Sequence, residues 1–457
     1  MSSNIEVKKE IDMLSGPILP QMLRFSLPVI LSGILQQLYN TADTLIVGAM
    51  GGKEALAAVG ATISTVSLLV NVFTSIFIGT NILAARAKGA KDDDAIQKIV
   101  STTYILSLII GVGIMILGES LAETMMILTD CPTHIIDQSV LYLRIYFLGM
   151  PASIFMNFGA SVIRSLGDSR SPFIYMSISG IVNVVCNVIF VLLFGNPVAA
   201  VAVATVLSMY VSATFFLIHM IKEKGSAKLY PFRFSFHIPT FVKTIRYGIP
   251  AAISSSTFAL TNIIIQPTVN SYGDIGISGT AASGAIESYI YVITSAIGGA
   301  VSTFMGQNIG AKNKQRVKRV LLNGYALNIA IMAVFSAIAL SLGKILLGLF
   351  IPGEEAAIDF GYIRLCMIAG AAVLNATMNV NSGALQAYGY TFMQMISNLV
   401  GVCLFRIIWM WLIYPLNPTP LNFLICYPIS WAFSASALLI VVVFLTKKYL
   451  KGKEFKL

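Results

Sequence analysis

Of the 457 residues, 56% are hydrophobic and only 11% are charged, less than half the charged fraction of about 25% in soluble domains. A single soluble core stops growing near about 250–300 residues, so this much apolar surface belongs in a bilayer. The net charge of +10 follows the membrane rather than a nucleic acid. With both termini placed in the cytoplasm, 25 of the 30 Lys and Arg fall at cytoplasmic ends and four outside (Lys53, Arg144, Lys344, Arg364). Acidic residues divide evenly, which is the positive-inside pattern.

The sequence up to Gln21 carries Glu6, Lys8, Lys9, Glu10 and Asp12 without an isolated apolar core, so a removable signal peptide is not expected. Twelve apolar stretches follow, each near the roughly 20 residues needed to cross about 30 Å. They lie near 24–48, 56–85, 99–118, 138–164, 171–194, 197–221, 245–269, 279–305, 318–342, 360–386, 391–414 and 420–446, here spans 1 to 12. Their continuous apolarity excludes a β-barrel, whose strands alternate. The expected fold is an all-α integral membrane protein of the cell membrane, multi-pass, with both termini cytoplasmic.

The chain repeats itself. Arg24-Phe-Ser-Leu-Pro28 returns as Arg246-Tyr-Gly-Ile-Pro250, and Gly89-Ala-Lys91 as Gly310-Ala-Lys312. Tyr142-Leu-Arg144 returns as Tyr362-Ile-Arg364, and Gly167 aligns with Gly389. These landmarks keep one order and nearly one offset. Six spans per half is an even number, so the halves enter the membrane in one orientation and are related by a pseudo-two-fold axis along its normal. The expected organisation is a cytoplasmic N-terminus at 1–23, an N-lobe at 24–221, a cytoplasmic linker at 222–244, a C-lobe at 245–446 and a tail at 447–457. Two like bundles suit alternating access, although a duplication also suits some channels.

Charges inside the spans reduce to Asp43, Glu287 and Arg406. Each costs roughly 2.5–3.5 kcal/mol at mid-bilayer, so each is a functional candidate by default. In span 1, Gln36, Tyr39 and Asn40 precede Asp43 by seven, four and three positions and share its helical face. Such a face points into the bundle, and Pro28 predicts a bend in the same helix. Span 5 places Asn183 and Asn187 one turn apart on one face, and span 6 adds Thr205. These four residues can supply oxygen ligands to a hard cation such as Na⁺. A proton serves equally, because a carboxyl withdrawn from water holds its proton more firmly. Helix-to-helix hydrogen bonding is the alternative role for the amides.

The second half is no chemical copy, since Ile264 or Ile265 stands where Asp43 would recur. It offers Asn262 and Gln266 in span 7, Glu287 in span 8, and Asn375 and Asn379 in span 10. Glu287 either binds a cation or pairs with a polar neighbour. For Arg406 in span 11, an ion pair or a snorkelling position is expected. Met125, Met126, Phe155, Met156, Phe158, Met393 and Met395 either floor an adaptable cavity or pack the core. Cys131, Cys186, Cys366, Cys403 and Cys426 lack metal or disulfide spacing. No phosphate-cradling GxxxxGK[ST] loop, HExxH or GxSxG motif occurs. Neither an enzyme nor a cofactor is expected, and energy must come from an ion gradient or a partner subunit.

The run Leu27-Pro-Val-Ile-Leu-Ser-Gly-Ile-Leu-Gln-Gln-Leu-Tyr-Asn-Thr-Ala-Asp43-Thr-Leu-Ile-Val-Gly48 resembles span 1 of the MATE (multidrug and toxic compound extrusion) transporters. Gly51-Gly52, Leu56-Ala-Ala-Val-Gly60, Ser165-Leu-Gly-Asp168 and Gly306-Gln-Asn-Ile-Gly-Ala311 extend the likeness over essentially the whole chain. The resemblance implies antiport of H⁺ or Na⁺ against amphipathic, often cationic or aromatic, drug-like compounds by a monomer. In one prokaryotic branch the N-lobe cation site takes an Asp on span 1, an Asn and an Asp on span 5 and a Thr on span 6. Asp43, Asn183 and Thr205 match that pattern, and Asn187 departs from it. Gln36 and Tyr39 match residues lining the same cavity. Another branch uses acidic residues on spans 7 and 10, where this chain has only amides. Alternatives are a lipid-linked precursor flippase of the same superfamily and an ion channel.

Overall fold

The structure is a computed structural model and describes residues 10–233 and 235–452. The expected cytoplasmic residues 1–9 and 453–457, Glu6, Lys8 and Lys9 among them, lie outside the described residues. Among those described, nine helices are long and apolar enough to cross a membrane. The first, Ile18–Ala90, carries spans 1 and 2, broken at Gly52 with φ 75° and ψ −172°. Two helix pairs, Ile136–Leu148 with Met150–Ser165 and Glu355–Gly370 with Ala372–Ala387, are each bent by 47° and supply spans 4 and 10. The twelve expected spans are thereby accounted for. The helices Asp93–Leu128, Gly273–Gly310 and Lys314–Phe350 have 36, 38 and 37 residues, at least about 54 Å at 1.5 Å per residue. Each is longer than the roughly 30 Å bilayer core is thick.

The repeat is written in the backbone. Lys91 and Lys312 are both left-handed, with φ of 57° and 55°. Each is followed by a capping side chain: Asp92 accepts from the Ala95 N–H at 2.9 Å and Asn313 from the Arg316 N–H at 3.2 Å. A cap oxygen here meets an amide that the first turn leaves without a helical partner. Gly167 and Gly389 also share positive φ, 107° and 74°.

Two compact units form. One takes residues 10 and 11 together with Leu27–Gly248; the other takes Asp12–Ser26 together with the described residues from Ile249 onward. The first turns of span 1 therefore pack with the second half, and the first turns of span 7 with the first half. Each exchange falls immediately ahead of a repeat-matched proline, Pro28 or Pro250. Proline lacks the N–H that would hold the carbonyl one turn back, so the ladder is weakest there. Ser32 Oγ donates to the Pro28 carbonyl at 2.8 Å.

In the first unit, Phe77, Phe147, Phe158 and Phe216 are buried in one cluster. Met126 and Phe155 belong to it, and Met125 and Met156 pack against it, so the first-half Met and Phe stripe is core. Residues 10 and 11 are tied down here: the Ile11 N–H donates to the Gly167 carbonyl at 3.0 Å, and Lys88 pairs with Glu10 at 3.0 Å.

In the second unit, Phe25 meets Phe304 edge-on at 5.7 Å, with Tyr388, Phe423 and Trp431 fully buried. Arg316 gathers the segment ahead of span 1. Its guanidinium donates to the carbonyls of Met13 (3.0 Å), Ser15 (2.6 Å) and Gly16 (2.8 Å) and to Gln21 Oε1 (3.1 Å). Span 11 is irregular: Leu399–Leu404 and Trp409–Ile413 are wound as π-helix on either side of the short α-turn Phe405–Ile408.

Candidate cation and solute sites

Spans 1, 5 and 6 bring Asp43, Asn183, Asn187 and Thr205 into one closed ring. Asn187 Nδ2 donates to Asp43 Oδ1 and, at 3.3 Å, to Asn183 Oδ1. Asn183 Nδ2 donates to Thr205 Oγ1 at 3.3 Å, and Thr205 Oγ1 approaches Asp43 Oδ2 at 3.4 Å. Thr205 has one hydroxyl hydrogen, and the Val201 carbonyl at 2.9 Å competes for it. The link from Thr205 is therefore the weakest in the ring. Asn183 and Asn187 are buried, and Asn187 Oδ1 has no hydrogen-bond partner. A buried amide oxygen left unsatisfied is unusual enough to need an explanation.

The one-turn spacing of Asn183 and Asn187 lets them bond each other and still face span 1. Tyr142 and Tyr146 of span 4 stack on each other at 6.1 Å. Tyr39 donates its hydroxyl to the Ser177 carbonyl at 3.2 Å. Its ring occupies the space beside Gly180, where a Cβ would lie 1.7 Å from Tyr39 Cε2; only glycine admits that ring. Gln36 and Asn40 are exposed on the same helix.

The second-half candidates do not assemble into one site. Asn262 and Gln266 are exposed, and Gln266 Nε2 donates to Asn270 Oδ1 at 2.9 Å. Asn375 Oδ1 accepts from Thr294 Oγ1 at 3.1 Å and from Asn379 Nδ2 at 3.0 Å. That pair stitches span 10 to span 8. Glu287 is sealed in a bidentate ion pair: Arg364 Nε and Nη2 donate to its two oxygens at 2.8 and 2.9 Å, and Ser283 Oγ donates to Oε1 at 2.7 Å. Of the two roles open to Glu287, the structure has it paired.

Arg364 has a partner that its position in the sequence does not reveal. Position along the chain sets it at an outer end, and the structure buries it there against Glu287 on span 8. Arg406 differs. It has no carboxylate; its guanidinium lies 4.1 Å from the Tyr427 ring centroid, and Nε donates to Ser430 Oγ at 2.9 Å. Tyr427 and Ser430 were not singled out from sequence. The available signal was that a mid-span arginine must find a polar or aromatic neighbour on an adjacent helix.

Among the described residues no group of three or more His, Cys, Asp or Glu side chains could hold a metal ion.

A duplicated twelve-span helical protein with one carboxylate in an amide and hydroxyl ring defines the class: a polytopic membrane transporter of two repeated lobes. A family model described as MatE matches residues 28–189 and again 250–412, most of the chain and once per repeat, and the chain belongs to the MatE family. It is 28% identical over 401 residues to the probable multidrug resistance protein YpnP of Bacillus subtilis (strain 168), covering 87% of this chain and 89% of that one. It is 24% identical over 320 residues to the FAD transporter of Shewanella oneidensis, covering 68% and 69%. A solved MATE-family multidrug resistance transporter in an outward-facing conformation matches with a TM-score of 0.90 at 21% identity, over 97% of this chain and 99% of the other.

Proposed function

We propose that this protein is a secondary active exporter of organic solutes, driven by antiport, with Asp43 carrying the coupling ion. The observation that carries this reading is the closed ring of Asp43, Asn187, Asn183 and Thr205 around a single intramembrane carboxylate. The relatives named for multidrug resistance and for FAD transport support an organic solute as cargo.

The ring has two hydrogen-bonded states that differ by one proton. With Asp43 ionised, Asn187 and Thr205 donate to it. With Asp43 protonated, the carboxyl becomes a donor and needs an acceptor. Asn187 Oδ1, buried without a partner, becomes that acceptor when the amide turns over. An asparagine can serve both states, whereas a second carboxylate could not donate to the first when both are ionised. A proton needs only that one acceptor, whereas Na⁺ would need several ring oxygens turned toward it at once, against the bonds from Asn187 to Asn183 and from Asn183 to Thr205, so H⁺ is the coupling ion that this geometry favours.

Switching the ring re-orders the contacts of spans 1, 5 and 6. Pro28 is where span 1 can bend in response, and Gln36, Tyr39 and Asn40 lie on the face that would meet solute. The chain works in the cell membrane as a monomer with both termini cytoplasmic, drawing only on the gradient.

Efflux of a fluorescent cationic dye from proteoliposomes tests this reading under separate H⁺ and Na⁺ gradients. Wild type is expected to follow the H⁺ gradient, and Asp43→Asn to abolish gradient-driven efflux. Asp43→Asn that still exports the dye at the wild-type rate would sink the assignment. Efflux that follows Na⁺ alone would reassign the ion.

A further inference from the structure

The second unit holds a buried cluster that the coupling mechanism does not use. Arg364 and Arg406 both face Tyr427: their guanidinium carbons lie 5.0 and 4.1 Å from its ring centroid, and Arg364 Nη1 donates to the Tyr427 hydroxyl at 3.2 Å. Glu287 is the one carboxylate bonded there, and both its oxygens are engaged by Arg364. Glu287, Arg364, Arg406 and Tyr427 are all at least nine-tenths buried. Two guanidinium cations thus stand against one carboxylate, and the surplus charge rests on Arg406. Its Nη2 is buried without a hydrogen-bond partner. A cation out of water is costly unless paired, and the Tyr427 face compensates only part of that cost. A donor of this kind matches an incoming oxyanion, for which a planar guanidinium is the fitting partner.

Two further observations concern the backbone at Arg406 and the surface near it. Arg406 sits on a single α-turn between two π-wound stretches of span 11, and π-helical insertions gather at functional sites because they loosen the backbone ladder. One and two turns further on, Trp409 and Ile413 line an open surface groove together with Leu421, Asn422 and Ile425 of span 12. Its walls are chiefly apolar, with Asn417, Thr419 and Asn422 as the polar members.

We propose that spans 8, 10, 11 and 12 form an oxyanion site at Arg406 that takes the acidic head of an amphipathic solute, its apolar body lying toward the open groove beside Trp409. The site extends the exporter reading to acidic and zwitterionic cargo, and rests on that reading only for the ligand's being cargo. The shared chemistry is a carboxylate or phosphate on an apolar body, supplied by a free solute or by a lipid.

The three tryptophans of the chain, Trp409, Trp411 and Trp431, all lie on spans 11 and 12, so intrinsic fluorescence reports on this cluster without any transport step. The full-length protein in phosphatidylcholine nanodiscs is titrated with 2-naphthoate and with its uncharged counterpart 2-naphthamide. Wild type is expected to bind the carboxylate about tenfold more tightly, roughly one charge-assisted hydrogen bond's worth. Arg406→Gln removes the preference. Glu287→Gln frees Arg364 and raises it, and this opposite sign separates loss of the site from loss of the fold. Phosphatidylglycerol in the nanodisc that competes with naphthoate assigns the site to lipid headgroups; absence of competition assigns it to free solutes. Equal affinity for the two probes in wild type, or an unchanged preference in both variants, overturns the site. Because dye efflux is measured separately, lost binding with intact efflux removes the oxyanion site alone. Lost efflux with intact binding removes the exporter reading and leaves the site.

Discussion

Asn187 stands where a carboxylate stands in the branch this chain resembles, and the ring explains what that exchange does. The amide donates to Asp43 and to Asn183 at once, which an ionised carboxylate cannot do. Asn187→Asp would put two carboxylates side by side; they would then share a proton and titrate as a pair. The variant is expected to gain dependence on a Na⁺ gradient, measured as the ratio of Na⁺-driven to H⁺-driven efflux, which should stay near the wild-type value if the amide plays no part. A second residue-scale prediction concerns Arg364. Arg364→Gln leaves Glu287 buried and unpaired, at a cost of about 3–5 kcal/mol. Thermal unfolding in detergent should fall accordingly and recover in Glu287→Gln/Arg364→Gln. Asp43, Asn183, Asn187 and Thr205 were legible as candidates because each is polar within an apolar run and helical spacing gives its face. The partner of Arg364 was not legible, because position along a span gives depth but not partners, and Glu287 lies 77 residues earlier.

At the scale of elements, span 1 is anchored at its start and crowded in its middle. Gly180→Ala would drive a methyl into the Tyr39 ring, an overpacking that costs about 1–3 kcal/mol. Efflux and melting temperature should both drop, and Tyr39→Ala in the same chain should restore the melting temperature. Arg316 fastens the segment ahead of span 1 through three carbonyls and Gln21. Arg316→Gln is expected to speed hydrogen exchange over residues 13–21 while sparing span 9. Asp12 adds a pH dependence there. The Ser15 hydroxyl, the Leu14 N–H and the charge of Arg316 hold its carboxyl below the ordinary range. A carboxyl lowered on folding stabilises the segment above its unfolded pKa and loses that contribution as pH falls through the folded value. Faster exchange in that acidic window should be absent from Asp12→Asn. Helix extents were readable from apolar length, but the π-winding around Arg406 was not, since nothing in composition distinguishes an i→i+5 ladder from an i→i+4 ladder.

Across the whole molecule, two copies of one architecture have parted chemically. The first unit keeps a lone carboxylate in an amide ring; the second buries two guanidiniums against one carboxylate. The duplication was visible in sequence because its landmarks sit at conformationally demanding positions. Gly167 and Gly389 need positive φ, and Lys91 and Lys312 precede matched caps. The exchange of the first turns of spans 1 and 7 between the units was not visible. Apolar periodicity records that a helix face is buried, not which half of the chain buries it.

Coupling through one carboxylate is tested most directly by proton release from the purified, weakly buffered protein on adding exported dye, followed with a pH indicator. The account predicts about one proton released per wild-type molecule when dye displaces it from Asp43, and none from Asp43→Asn. Equal release from both proteins would contradict it, because the exchanged proton would then reside on another group.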